Sequence, residues 1–229
     1  MALVTPAPRY QFSTVLRTST LAALLALLSA PVAQATDWDK LHDDGGVTVW
    51  RRPYADSPLM EYRGERTLEA GLGEVMALLK DADFNQQWVF RSGGAHILQE
   101  NGFDQAYVHG VVDAPWPMED RDTVVRFDYR QDPDTRVITV DITNFPNFIP
   151  AQPELVRVPD FGGFWRLRPV PGGKVDVIYQ VHGDPGGRVP NWLANFAAQV
   201  SVRRTLENMP GAVANYRGVT LPQVQEPDD

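Results

Sequence analysis

The sequence predicts an α+β domain: a long, meandering antiparallel sheet covered by a single C-terminal helix. Most runs after residue 46 alternate apolar and polar side chains with period two, the pattern of half-buried strands. Only two substantial stretches shift to a three-and-four period, and only the second of these, residues 190–209, is long and apolar enough to cover the concave side of a curved sheet. No internal repeat and no interdomain linker interrupts the meander, so residues 36–217 read as one domain.

The elements follow in order. Residues 36–43 are expected to form a short helical lead-in, with Trp38 and Leu41 at i, i+3, before a turn at Asp43-Asp-Gly-Gly46 and a first strand at Val47-Thr-Val-Trp50. Residues 60–68 alternate charged and apolar positions as a second strand. From Leu72 through Val75, Met76, Leu79 and Phe84 to Trp88 the spacing predicts an amphipathic helix. Strands are then expected at 96–100, 104–112, 123–130, 136–142, 163–167 and 174–181. Asn101-Gly102, Asp132-Pro-Asp134 and Pro171-Gly-Gly173 supply hairpin turns between several of them. The final helix presents Trp192, Leu193, Phe196, Val200, Leu206 and Met209 on one face and stops at Pro210-Gly211, leaving residues 218–229 as a frayed tail.

Composition sets the compartment. Leu21-Ala-Ala-Leu-Leu-Ala-Leu-Leu28 is uninterrupted and apolar, follows two arginines, and precedes the small-x-small triplet Ala33-Gln-Ala35, so residues 1–35 are read as a signal peptide and the mature chain as periplasmic or secreted. The run is too short to span a bilayer. Without cysteine there is no disulfide framework and no thiolate metal site. Removing the leader's two arginines leaves 19 of the 21 basic residues against 29 acidic, a net charge of −10. That balance excludes nucleic acid as a partner, because polyanion affinity comes from Lys and Arg neutralising phosphates.

Motifs narrow the class further. In Val111-Val-Asp-Ala-Pro-Trp-Pro-Met-Glu-Asp-Arg-Asp122 two prolines fix φ on either side of Trp116, turning the chain between strands, and Arg121-Asp122 opens the next strand. Val156-Arg157, Gly163-Phe-Trp165, Pro169 and Asp184-Pro-Gly-Gly-Arg-Val-Pro-Asn-Trp-Leu-Ala-Asn195 follow at suitable spacing. Together these resemble the START family, the lipid-transfer domains related to the steroidogenic acute regulatory protein, over roughly residues 37–213. The resemblance implies a helix-grip fold, in which the sheet wraps the C-terminal helix and an internal hydrophobic tunnel holds one lipid.

Candidate ligand-binding residues follow from strand parity and from that resemblance. Thr123, Val125, Phe127 and Tyr129 share one face of their strand, as do Tyr107, His109 and Val111 of the preceding one. Several family members place an inward arginine where this chain has Phe127, so the resemblance points away from a phosphate headgroup and toward a sterol, fatty acid or other apolar ligand, with Tyr129 as a hydrogen-bond donor. Trp165, Trp192, Phe196 and Val200 are expected to line the tunnel, and Phe196→Arg to abolish uptake. Phe145, Phe148 and Ile149 sit in the proline-rich run 143–153, which the resemblance places at the tunnel mouth. There they touch a bilayer or close over ligand during exchange, with Phe145 and Phe148 as ligand-binding residues, or they dock onto the body of the domain. Arg121 and Asp122 are expected to fix the turn rather than bind ligand.

Enzymatic readings find little support. There is no Gly-x-Ser-x-Gly elbow, and His42, His96, His109 and His182 lack the i, i+4 spacing of a zinc helix. A polyketide cyclase of the same superfamily is the runner-up, requiring His109, Asp113 and Glu119 to converge in the tunnel; a filled-core interaction protein is the third reading. The expected molecule is a monomeric, non-enzymatic carrier of one lipid or sterol-like molecule, with no cofactor and transient membrane contact.

Overall fold

A computed structural model describes residues 37–227; the leader assignment lies outside them. Ten strands form one sheet: β1 (Asp39–Asp44), β2 (Val47–Tyr54), β3 (Ser57–Leu68), β4 (Ser92–Glu100), β5 (Gln105–Val112), β6 (Arg121–Gln131), β7 (Ile138–Asn144), β8 (Val156–Arg157), β9 (Asp160–Val170) and β10 (Lys174–Asp184). Their order is β1-β2-β3-β10-β9-β7-β6-β5-β4, antiparallel throughout, while the two-residue β8 pairs in parallel with β6 at Arg121–Asp122. Two helices complete the domain, α1 (Leu72–Lys80) and α2 (Asn191–Val213). This is the helix-grip α+β architecture.

The lead-in is a strand, not a helix. Gly45 and Gly46 both adopt positive φ, 61° and 74°, as a two-residue hairpin turn requires, and β1 pairs back along β2. The turn chemistry overrides the i, i+3 spacing of Trp38 and Leu41. Helix α1 also ends earlier than its periodicity suggests. The Asp81 carboxylate accepts the Phe84 N–H at 2.9 Å, drawing the backbone into a separate turn at Asn85–Gln87.

Helix α2 runs one turn past its expected stop. Pro210 lacks the N–H that would bond the Leu206 carbonyl, but Arg66 of β3 donates Nη1 to that oxygen at 2.6 Å. The proline is tolerated because a side chain replaces the missing donor. Arg66→Met is expected to cost about 1–3 kcal/mol by orphaning this carbonyl, with faster amide exchange confined to 207–213. Unchanged exchange there would show the carbonyl bonded another way.

Residues 218–226 of the expected tail are packed rather than frayed. Leu221 and Val224 pack on the core, and the Glu226 carboxylate accepts the Leu72 and Gly73 N–H groups of α1 at 3.0 and 2.7 Å. Two apolar anchors and a carboxylate at a helix N-terminus hold a segment whose composition alone suggests disorder.

Sheet register sets the core in rungs. Across the concave face Tyr129, Val140, Trp165, Tyr179, Gly64 and Val49 stand side by side on β6, β7, β9, β10, β3 and β2. A Cβ on Gly64 would lie 2.4 Å from Leu206 Cδ1 and 2.7 Å from Val202 Cγ1, so the bare backbone of β3 is the seat on which α2 rests. Rungs beyond this one, with Ile138, Leu167, Val177 and Leu68, are fully buried against Leu72, Val75 and Met76 of α1 and Met209 of α2.

Candidate functional site

In front of the aromatic rung the concave face opens. The next rung is Ala106, Phe127, Ile142, Gly163, Val181 and Tyr62, with no side chain at its centre, and Val108, Val125, Asn144 and Phe161 come after it. Val108, Phe127, Gly163, Phe161 and Tyr179 are only half-buried although they lie on central strands. Burial nevertheless pushes the Tyr179 hydroxyl pKa up. A hollow therefore stands over the rung formed by Tyr129, Trp165 and Tyr179. Trp165 stacks on Tyr179 with centroids 3.8 Å apart, and Trp88 lies 6.1 Å from Trp165.

Helix α2 roofs this space with small side chains. Ala194, Ala198, Ser201 and Thr205 share one stripe, and Thr205 Oγ1 accepts the Phe90 N–H at 3.2 Å across the grip. On the near side Asn195 Oδ1 accepts the Met60 N–H at 2.9 Å. The helix thus bridges both limbs of the sheet without filling the gap between them. On β5, β6, β7, β9 and β10 the concave positions carry one charged residue, Arg121, at the rim, where it donates to the Glu119 carbonyl. Such a cavity solvates apolar bodies and offers few polar groups for orientation.

The expected ligand-binding residues separate into three groups. Val125, Phe127, Tyr129 and Trp165 lie on the concave face, with Tyr129 and Trp165 in the floor and Phe127 in the wall. Tyr107 and His109 belong to the convex face, because β5 pairs Ala106 with Phe127 and Val108 with Val125, which turns the odd-numbered residues outward. There Tyr107 stacks on Phe148 with centroids 4.3 Å apart and meets Phe145 edge-on at 5.3 Å. The proline-rich loop therefore docks its aromatics onto the body of the domain. Trp192 and Phe196 are 71% and 59% exposed, off the buried stripe of α2, and Val200 is half-buried beside them. Val108, Ile142, Gly163, Tyr179 and Val181 also line the hollow. The alternation Val175, Val177, Tyr179, Val181 already carried the signal for two of them.

Beneath the loop lies a buried ion network. Arg157 Nε is 3.0 Å from both carboxylate oxygens of Asp122, its Nη2 is 2.8 Å from Oδ2, and His109 Nε2 is 2.8 Å from the same oxygen. Arg157 Nη1 also donates to the carbonyls of Pro146 and, at 3.1 Å, Ile149. Burial raises the Asp122 pKa, but hydrogen bonds from Arg157 and His109 outweigh it and hold the carboxyl below the usual range. The motif residues Arg121, Asp122 and Arg157 thus fasten a corner and a loop. His109 is committed to Asp122 and does not meet Asp113 or Glu119 in the hollow.

Exposed apolar side chains gather at one end of the sheet, where the turns 55–56, 113–120 and 145–155 and the start of α2 lie together. Of the eight large apolar side chains exposed among the described residues, six lie at this end: Tyr54, Val112, Trp116, Phe148, Trp192 and Phe196. Trp116 is 93% exposed on its proline-flanked turn.

Comparison with known proteins places this arrangement. The START domain family model matches residues 21–209. An uncharacterized protein of Pseudomonas aeruginosa is 32% identical over 180 residues, covering 79% of this chain and 88% of its own length. The phosphatidylcholine transfer protein of Rattus norvegicus is 29% identical over 202 residues, covering 85% and 92%. Among solved structures, a STAR-related lipid transfer protein from Xanthomonas axonopodis superposes with a TM-score of 0.72 at 34% identity, covering 77% of this chain and 98% of that one. Human StAR-related lipid transfer protein 5 shares the fold with a TM-score of 0.72 at 22% identity, covering 80% and 89%.

Proposed function

Because this chain belongs to the START domain family, we propose that it carries one neutral or weakly polar lipid in the hollow between sheet and α2 and moves it between membranes. The observation that carries this reading is the half-buried, uncharged concave wall at Val108, Phe127, Gly163 and Tyr179 beneath a roof of alanine and serine. Burying methylenes there supplies about 0.8 kcal/mol each, enough to hold an acyl or sterol body without ion pairing. Its relatives include phosphatidylcholine transfer proteins. In this chain the strands of the wall carry no cation deeper than Arg121, and Lys80, 4.0 Å over the Tyr129 ring, is committed to the Phe103 carbonyl, which favours a ligand without a phosphate.

The end bearing Trp116, Trp192 and Phe196 is the face that meets the bilayer, since apolar side chains gathered beside the opening gain by leaving water. The carrier works as an exported, periplasmic monomer after loss of residues 1–35, and its task is transport rather than catalysis.

Native mass spectrometry of residues 36–229 after incubation with a total lipid extract tests for the cargo. A discrete added mass of a phosphate-free lipid is expected; an added mass of phosphatidylcholine would reverse the ligand class, and an apo mass alone from natively packed protein would remove the carrier reading. Val108→Arg, a cation on the wall, is expected to cut uptake at least tenfold. Phe196→Arg, on the exposed side of α2, is expected to leave uptake intact, in contrast to the expectation from sequence. Trp116→Ala combined with Trp192→Ala should slow transfer between neutral vesicles about tenfold at unchanged occupancy. Unchanged transfer would place the docking face elsewhere.

A further inference from the structure

Past α2, residues 217–226 run back over the domain as a strap fastened at three places. Gly218 N–H donates to Glu74 Oε1 at 2.6 Å. The Gln225 amide nitrogen donates to Gln131 Oε1 at 2.8 Å, Gln131 Nε2 donates to the Gln225 carbonyl at 2.7 Å, and Arg136 reaches Gln225 Oε1 at 2.7 Å. Glu226 accepts the first-turn amides of α1. Between these points Leu221 and Val224 face the core.

Under the strap is a cleft of about 40 Å³, partly open to solvent, with Met76, Phe103, Tyr129, Ile138 and Val224 on its apolar side and Asp104, Arg130, Gln131 and Gln223 at its polar margin. That is room for a group of about one to a few water-sized atoms. Tyr129 is at once a wall of this cleft and a member of the floor of the hollow, where it adjoins Phe127 at 6.3 Å between ring centroids. Tyr129 therefore stands between the hollow and this smaller space. Beyond it stands Val224, on a segment held by hydrogen bonds and two apolar side chains rather than by a sheet ladder.

We infer that the strap is the end stop of the ligand site and that Val224, behind Tyr129, sets the longest chain the hollow accepts. This rests on the carrier reading. An extended chain entering at the Trp116 end runs along Phe127, turns the Tyr129 ring aside, and ends against Val224. A smaller side chain at 224 lengthens the usable path, a larger one shortens it, and removal of the strap opens it to water.

The test is native mass spectrometry of the full mature chain with straight-chain monoacylglycerols graded in length. Its cut-off length is compared with that of Val224→Ala, Val224→Phe and a chain ending after Tyr216. The cut-off should rise by about one methylene in Val224→Ala, with the first excluded chain gaining about fourfold in relative affinity, and fall in Val224→Phe. It should blur upward in the shortened chain, whose Leu72 and Gly73 amides should exchange faster. Should the shortened chain fail to fold, the two point variants decide. One common cut-off for parent and both point variants would overturn the end stop while leaving the carrier intact. Absence of any bound monoacylglycerol in the parent would overturn both.

Discussion

Asp122→Ala is expected to lower the unfolding free energy by about 3–5 kcal/mol, the usual cost of leaving one member of a buried ion pair without its partner. The Asp122 side chain is fully buried and that of Arg157 is 10% exposed, so little water is at hand to solvate the orphaned guanidinium. The damage should be local before it is global. Arg157 also holds the carbonyls of Pro146, Ile149 and Pro150, so exchange of amides between 145 and 150 should accelerate under conditions where the sheet stays protected. Urea unfolding reads the first effect and hydrogen exchange the second. Replacing both partners with apolar residues, Asp122→Leu with Arg157→Met, should recover part of the loss, since that pair carries no desolvation cost while the buried His109 Nε2 still lacks its acceptor. If the single and double variants lose equally, the network's worth lies in geometry rather than charge.

The same carboxylate gives a direction in pH. Its folded pKa is held down, so the unfolded state binds the proton more readily as the solution is acidified. The stability it contributes is complete above about pH 4, the unfolded value for Asp, and is lost as pH falls through the lower folded value. Asp122→Asn should flatten the stability profile in that acid window. An unaltered profile would assign acid unfolding to other groups.

Gly163→Ala is expected to be about as costly, at about 3 kcal/mol or more from strain and overlap together. The residue has φ of +149°, and a Cβ there would lie 2.0 Å from the Gln180 carbonyl oxygen and 2.8 Å from Val181 Cα. These are backbone atoms of the neighbouring strand, so no side-chain rotation relieves the overlap. The β9–β10 ladder must open at Gly163–Val181, in the middle of the sheet. For a domain of this size that corresponds to a fall in Tm of about 6–12 °C. A fall under about 2 °C would show that β9 can shift in register without loss. Because Gly163 also leaves the centre of the Phe127 rung empty, a folded variant should hold ligand more weakly as well.

The strands are legible in the sequence because their alternation and turn residues agree. Asn101-Gly102 and Pro171-Gly-Gly173 both fall between paired strands, as expected. What alternation leaves open is which half of a strand faces in. On β5 both halves carry apolar atoms, since Tyr107 on the convex side is covered by Phe145 and Phe148 from a loop about 40 residues away in sequence. On β6 the inward side can be read from the sequence, because Arg126 and Asp128 mark the face opposite Phe127 as polar. The helix face misleads for a related reason. Trp192 and Phe196 are its largest apolar residues, yet the half of the helix nearest them turns the inconspicuous series Ala194, Ala198, Ser201 and Thr205 to the domain, while Leu206 and Met209 of the expected face are buried as the spacing predicts. Likewise the strap depends on Glu226 finding amide groups over 150 positions earlier in the chain. No local pattern encodes that distance.

Four of the six tryptophans divide the molecule optically, while Trp38 and Trp50 are half-buried on the other limb of the sheet and would be replaced by phenylalanine for the measurement. Trp88 and Trp165 are 3% and 6% exposed beside the floor of the hollow, whereas Trp116 and Trp192 stand largely in water at the opposite extreme. Emission from the first pair should be blue and sheltered from iodide, and that from the second red and readily quenched. Cargo settling on the floor alters the sheltered component; settling of the rim into lipid shifts and protects the other. A single unlabelled sample of that variant mixed with vesicles therefore carries two clocks, one for docking and one for loading, and the order in which they move gives the sequence of events in a transfer cycle.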